Sequence, residues 1–320
     1  MEVEIFETPS LSETEEKLLG VHSFINILNI IMGELRALTL EDSAQAEHNR
    51  LLLAIQRTKE ILGNLHSSSS APPAFSVIED LEALALDGLD FRNFNSWDNW
   101  DFNHIDKPFP ADSLTPKTTN YQHFYNLEKL FYVLKARYQE YLSQHGEPLR
   151  WIYHDVALLK MSFYELFRAV ELNSKGRFRI VHNLAEQSNQ DYLIHFDIYS
   201  VEGASIYMPL VLHDVTRDLI LNARKYTPPG GRIVAGLIDT GKLLRFVVQD
   251  SGIGIPDDEM EKVVNFGYRG TNIGSLVRQY GGGFGLTKAY ATTKKLGGRF
   301  WISSQVGIGT RITLEIPSPM

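Results

Sequence analysis

Asp218-Leu219-Ile220-Leu221-Asn222-Ala223-Arg224-Lys225-Tyr226-Thr227 is the stretch on which the reading of this chain turns. Wound as a helix, it places Asp218, Asn222 and Lys225 at i, i+4 and i+7, on one face. An acid, an amide and an ammonium side by side suit a metal-bound triphosphate. The amide oxygen can ligate Mg²⁺, which takes oxygen ligands together with substrate phosphates, and the lysine can balance phosphate charge. A solvated polar helix face would show the same residue types, so the neighbouring segments decide between the two.

Three such segments follow. Asp250-Ser251-Gly252-Ile253-Gly254-Ile255-Pro256 comes directly after a strand-like run ending at Gln249. A carboxylate at a strand end can accept a hydrogen bond from an exocyclic amine, and alternating glycines let the backbone approach a flat ring. Gly281-Gly282-Gly283-Phe284-Gly285-Leu286 opens a helix, where free N–H groups and the positive dipole end face phosphate oxygens. The last segment, Gly297-Gly298 with Ser303-Ser304 and Gly307-Ile308-Gly309-Thr310, reads as a tight connection between two core strands.

In order and spacing the four segments resemble the ATP-binding domain of sensor histidine kinases. That domain is a branch of the fold shared with gyrase, heat-shock chaperone and mismatch-repair ATPases. The resemblance covers residues 178–317 and is densest from Asp218 to Thr310. It implies ATP and Mg²⁺ as cofactors, with Asn222 as the Mg²⁺-binding asparagine and Asp250 as the adenine-binding aspartate. Gly252 and Gly254 match the first glycine box; Gly281, Gly283 and Gly285, with Leu286, match the second. Asn265-Phe266-Gly267-Tyr268-Arg269-Gly270 looks like the phenylalanine box. Between the boxes lies a lid expected to close over the nucleotide, with Arg269 and Arg278 as candidate γ-phosphate contacts. Lys225, Tyr226 and Thr310 complete the expected nucleotide surround. Where the family often has asparagine, this chain has Asp218; an acid there is similar to the glutamate base of the hydrolytic cousins and leaves slow ATP hydrolysis open.

The surrounding pattern is α+β. Strand-like runs at 178–181, 192–198, 232–238, 243–248, 300–303 and 310–316 mix with helices at 209–226 and after Gly285, without regular alternation. This predicts an α/β sandwich of one mixed sheet with helices on one face, over residues 177–320.

Near the N-terminus, Leu18, Val21, Ile25, Leu28, Met32 and Leu35 step by 3, 4, 3, 4, 3. That spacing predicts a heptad seam on a helix over 12–37, capped by Ser12 with Glu15 and Glu16 behind it. Phe24, Ile27 and Ile31 widen the apolar face, and Leu51, Ile55, Thr58, Leu62 and Leu65 mark a second helix. Residues 10–68 therefore read as a helical hairpin whose apolar face one chain would leave uncovered. A homodimer would cover it as a four-helix bundle.

His22 falls on the flank of that seam, and the run His22-Ser23-Phe24-Ile25-Asn26-Ile27-Leu28 resembles the family's phospho-acceptor box. The resemblance implies His22 as phospho-acceptor, Asp218 and Lys225 as further catalytic candidates, and a response regulator receiver domain as partner. One departure is Ser23, where the family usually carries an acid that can accept the imidazole proton. Another is length: His22 and Asn222 stand 200 residues apart, more than the family usually needs. The surplus falls in residues 69–176, read as a linker (Ser67 to Pro73) and a mainly helical insert. That insert holds helices around Leu127 to Tyr141 and over 156–172, and an aromatic-rich stretch with Trp97, Trp100 and Phe102.

Composition narrows the class. A net charge of −8 argues against non-specific binding to nucleic acid or anionic membrane. The absence of cysteine excludes disulfides, thiolate catalysis and cysteine-based zinc sites, and is compatible with the cytoplasm. The most apolar stretch, 18–38, is interrupted by His22, Ser23, Asn26, Asn29, Glu34 and Arg36. A membrane span needs roughly 20 predominantly apolar residues, so none is expected. Two other readings stay open: a nucleotide-binding scaffold without phosphoryl transfer, favoured by Ser23, and a protein kinase of the mitochondrial dehydrogenase-kinase type, similar at Gly283 to Leu286 and Ala289-Tyr290-Ala291.

Overall fold

A computed structural model describes residues 2–6, 11–39, 45–66, 73–86, 149–172, 174, 176–276 and 283–319, with isolated helical positions between 127 and 138. The chain forms two compact units: Met1–His22 with Glu140–Met320, and Ser23–Gln139.

The first unit is built on a seven-stranded sheet in the order β1-β8-β9-β7-β6-β4-β3. Its strands are β1 (Glu2–Glu4), β3 (Ile180–Val181), β4 (Tyr192–Ser200), β6 (Arg232–Asp239), β7 (Leu243–Asp250), β8 (Arg299–Gln305) and β9 (Gly309–Pro317). β3, β4 and β6 run parallel, whereas β6-β7, β7-β9, β9-β8 and β8-β1 are antiparallel. The sheet is therefore mixed, as expected. In β4, Ile194, Phe196 and Ile198 are buried while His195, Asp197 and Tyr199 are exposed, the period-2 alternation of a sheet covered on one face.

Three helices cover that face: α4 (Val156–Leu172), α5 (Leu210–Lys225) and α6 (Gly285–Lys295). Val211, Leu212, Val215, Leu219, Ile220 and Ala223 give α5 a buried stripe at helical spacing. One core joins Phe163 of α4, Leu219 and Ile220 of α5, and Tyr290 of α6 to Phe196, Ile233, Phe246, Phe300 and Leu314 of the sheet. The Phe163 and Phe196 rings lie 4.3 Å apart.

Three strands were not anticipated. β2 (Trp151–Asp155) and β5 (Ser205–Pro209) pair as a separate antiparallel ribbon, with Tyr153 opposite Tyr207. β1 adds the N-terminal residues to the β8 edge, pairing Val3 with Ile302. The boundary at 176 also differs: α4, read as part of the insert, shares the sheet's core through Leu159, Phe163 and Phe167. Sequence periodicity located that helix but carried no sign of the surface it packs on.

The second unit is helical. It holds most of α1 (Glu13–Thr39), α2 (Gln45–His66), α3 (Phe75–Leu86) and the helical positions Leu127, Leu130, Phe131, Leu134, Lys135 and Tyr138. Helix α1 begins with the anticipated cap: Ser12 Oγ accepts from the Glu15 N–H at 3.3 Å, and Glu15 Oε2 accepts from the Ser12 N–H at 2.7 Å.

The apolar seam of α1 is covered within one chain. Phe24, Ile25, Leu28, Ile31, Met32 and Leu35 are all buried without a second copy. Tyr138 meets Phe24 edge-on at 6.4 Å and Phe75 at 5.4 Å, and Lys135 pairs with Glu82. The expectation that one chain could not fully bury this seam is therefore corrected for these residues. Helix α3 and the helical residues 127–138, from the segment read as an insert, bring Ile78, Leu81, Leu127, Phe131 and Leu134 into the interior. The stretches 67–72 and 87–126, with the linker serines and with Trp97, Trp100 and Phe102, lie outside the described residues. Among the described residues no helix is long and apolar enough to cross a membrane.

Candidate functional site

Helix α5 carries the asparagine segment. Its apolar stripe is fixed in the core, so Asp218, Asn222 and Lys225 are left on the partly exposed side. Asn222 stands against the first residue of α6: a Cβ atom added at Gly285 would lie 2.5 Å from Asn222 Nδ2. Only glycine admits this approach between the amide and the start of a helix. Leu286, the next residue, packs against the core and anchors that start.

Asp250 ends β7. Its Oδ1 accepts hydrogen bonds from the Gly252 N–H at 2.8 Å and the Thr310 N–H at 3.2 Å. Burial pushes the Asp250 carboxyl up to about 6, and the Gly252 and Thr310 N–H groups pull the other way. The glycine turn after it is stitched on three sides. The Ile253 N–H donates to the Tyr226 carbonyl at 3.1 Å, the Gly307 N–H to the Ile253 carbonyl at 2.9 Å, and the Ile255 N–H to Ser304 Oγ at 2.8 Å. Gly254, at φ +71°, leaves no room for a side chain, since a Cβ there would lie 2.1 Å from the Gln305 carbonyl oxygen. The fourth segment, read only as a strand connection, thus holds the turn after Asp250 in place through Ser304, Gly307 and Thr310.

The phenylalanine-box segment meets the second glycine segment through stacked rings, Phe266 on Phe284 at 4.5 Å. A Cβ at Gly283 (φ +75°) would lie 2.7 Å from the Tyr268 carbonyl oxygen, so the same two segments also touch through backbone. Thr271 donates its N–H to the buried Glu259 carboxylate at 3.1 Å, and Asn272 Nδ2 donates to the Gly254 carbonyl at 2.9 Å. Glu259 and Asn272 carried no motif and were not picked out. Their role shows only in the pairing of residues 271 and 272 with Glu259 and Gly254.

Cationic charge gathers at the end of α5. Burial, and then the charge of Arg269, lowers the Lys225 pKa, and its Nζ lies 5.3 Å from the Tyr226 ring centre. Burial likewise raises the Tyr226 hydroxyl. Arg269 therefore lies close enough to the Lys225–Tyr226 corner to act on both groups electrostatically. Gly281 and Arg278 lie outside the described residues.

One turn back on α5 the sequence reading missed a partner. Lys288 of α6 is buried, and its Nζ lies 3.7 Å from Oδ2 of both Asp218 and Asp214. A lysine in a run such as Thr287-Lys288-Ala289 reads as surface, and only the packing of α6 on α5 shows otherwise.

Among the described residues no group of three or more His, Cys, Asp or Glu could hold a metal ion by itself. The donor set suits Mg²⁺ carried mainly by phosphate oxygens, with a single amide oxygen from Asn222. His22 lies in α1; its side chain, with those of Ser23 and Asn26, is outside the described residues.

Residues 208–320 match the family described as histidine kinase-, DNA gyrase B-, and HSP90-like ATPase. The chain is 36% identical over 108 residues to the aerobic respiration control sensor protein ArcB of Escherichia coli (strain K12), covering 34% of this chain and 14% of ArcB. It is 38% identical over 126 residues to the sensor histidine kinase WalK of Bacillus subtilis (strain 168), covering 38% of this chain and 20% of WalK. The matched stretch thus spans only a small part of these curated relatives. Among solved structures, the catalytic domain of histidine kinase ThkA is similar with a TM-score of 0.36 at 18% identity, over 52% of this chain and 97% of that one. The C-terminal segment is thus similar in sequence to this ATPase family and to part of the sensor proteins named above.

Proposed function

We propose that this chain is an ATP-dependent protein-histidine kinase that phosphorylates His22 and hands the phosphoryl group to an aspartate on a separate response regulator. The observation that carries the proposal is a convergence at the C-terminal end of α5. Asn222 meets Gly285, and Asp250 is held by Gly252 and Thr310 in a turn bonded to the Tyr226 carbonyl.

Each residue has a role set by its chemistry. Asp250 accepts the exocyclic amine of adenine, and Gly252 and Gly254 let the ring lie against backbone. The N–H groups at Gly283, Gly285 and Leu286, at the start of α6, face phosphate oxygens. Lys225 and Arg269 offset phosphate charge. Asn222 would hold the Mg²⁺, which when bound with ATP neutralises charge on the phosphates. A neutral imidazole nitrogen of His22 then forms a bond to the γ-phosphorus as the bond to the bridging oxygen breaks, and ADP leaves. Ser23 is a poor acceptor for the imidazole proton, so another acid or water takes it. A homodimer through the N-terminal helices and a cytoplasmic setting belong to this reading, resting on the resemblance alone.

The test is incubation with γ-labelled ATP and Mg²⁺, comparing the parent with His22→Ala and Asn222→Ala. Acid-labile label on the parent, lost in both variants and passed on to a receiver domain, is the expected result. Equal labelling of His22→Ala would remove His22 from the mechanism. ATP binding with no label in the parent would favour the scaffold reading that Ser23 suggests, and acid-stable label on a substrate serine the dehydrogenase-kinase reading.

A further inference from the structure

Helices α5 and α6 enclose four charges away from water. The side chains of Lys288, Arg217, Asp214 and Asp218 are 7%, 8%, 13% and 13% exposed. Arg217 lies 3.7 Å from Asp214, and Lys288 lies 3.7 Å from Asp214 and from Asp218. Two cations and two carboxylates balance, as buried charges require. Asp218 Oδ2 accepts no hydrogen bond from the described residues, and 3.7 Å is beyond hydrogen-bond length, so Lys288 is its electrostatic partner. The position matters. Asp218 is one turn before Asn222 on α5, and Lys288 one turn after Gly285 on α6, so the ion pair stands directly behind the Asn222–Gly285 contact.

We infer that Lys288 is a positioning residue: it holds the Asp218 carboxylate in a buried ion pair and so withholds it from activating water beside the bound nucleotide. The inference rests on the reading of this pocket as an ATP site, and it explains how an acid stands one turn from the metal ligand of a kinase. In the reaction suppressed, Asp218 takes a proton from water while the water oxygen bonds to the γ-phosphorus and the bond to the bridging oxygen breaks. The products are ADP and inorganic phosphate. Paired with Lys288, the carboxylate stays held against α6 and the phosphoryl group is kept for a side-chain acceptor.

The experiment measures inorganic phosphate release from Mg·ATP by the full chain, with nucleotide affinity and thermal unfolding followed in parallel. Lys288→Met is expected to raise release by about tenfold to a hundredfold, up to the lower end of what a positioned base supplies. Adding Asp218→Asn to that variant should remove the rise. Lys288→Arg, which keeps the charge, should restore low release. Because Lys288→Met leaves an excess buried negative charge, Lys288→Met with Asp214→Asn is made as well; it leaves one carboxylate against Arg217. The inference is overturned if either variant folds, binds ATP like the parent and releases phosphate no faster. It is equally overturned if the rise survives Asp218→Asn. Failure of the ATP-site reading shows separately, as an absence of nucleotide affinity in the parent.

Discussion

Asn222 and Gly285 touch so closely that a single added methyl group would sit 2.5 Å from the amide nitrogen. The contact joins the amide of α5 to the first residue of α6. Gly285→Ala separates fold from function here. Alanine favours helix over glycine by about 1 kcal/mol, and the obstructing atom is the end of a side chain that can swing aside. Thermal unfolding should therefore change little. ATP affinity in the presence of Mg²⁺, by calorimetry, should fall at least about tenfold, since 1.4 kcal/mol of displaced contact is enough for that.

Asp250 makes the pocket pH-dependent. Its carboxyl is pushed up to about 6 by burial, so the folded chain holds the proton to a higher pH than the unfolded one. The sign follows: this site's contribution to stability is fully present below the ordinary carboxylate value and is lost as pH rises through about 6. The shift from 3.8 to about 6 corresponds to about 3 kcal/mol. Asp250→Asn should raise the unfolding temperature at pH 7.5 and leave it nearly unchanged at pH 4. ATP binding has the opposite dependence, because the amine of adenine is best received by the ionised carboxylate. Affinity should weaken as pH falls below about 6 in the parent and be weak and flat with pH in Asp250→Asn.

Gly254 and Gly297 share φ +71° but not surroundings. Nothing lies within 4 Å of a Cβ at Gly297, whereas at Gly254 one would meet the Gln305 carbonyl oxygen at 2.1 Å. Gly297→Ala should cost only the left-handed backbone penalty, about 1–2 kcal/mol. Gly254→Ala should cost more than that and abolish nucleotide binding, because backbone must move. Urea unfolding of the two variants side by side checks the difference.

The N-terminal strand closes the sheet edge. Ile5 is 2% exposed; its N–H donates to the Phe300 carbonyl at 2.9 Å, and its own carbonyl accepts from Tyr290 Oη at 3.2 Å. Ile5→Ala should destabilise the sheet-bearing unit by about 2–5 kcal/mol. Tyr290→Phe should do so by about 1 kcal/mol. If Ile5→Ala unfolds at the parent's urea midpoint, β1 adds nothing to the unit.

Most residues of the proposed nucleotide site could be named before any tertiary structure was known. Asp218, Asn222 and Lys225 share a face because helical spacing dictates it. Asp250 ends its strand, and glycines stand where Cβ atoms would strike Asn222 or the Gln305 carbonyl. Such features are local or recur as patterns, so a linear reading finds them. Glu259, Asn272 and Lys288 left no such mark, since their significance lies in partners distant along the chain.

Local pattern thus determined the helices α1, α2, α4 and α5, the main strands and the residue types of the proposed nucleotide site. Tertiary structure alone decided what covers each apolar face. It buried the α1 seam inside one chain, drew α4 onto the sheet, and set the N-terminal strand against β8. It also turned Lys288 inward onto two carboxylates. The physical reason is that hydrophobic burial is non-directional. A sequence states that a face must leave water, and only the packed chain determines which surface meets it.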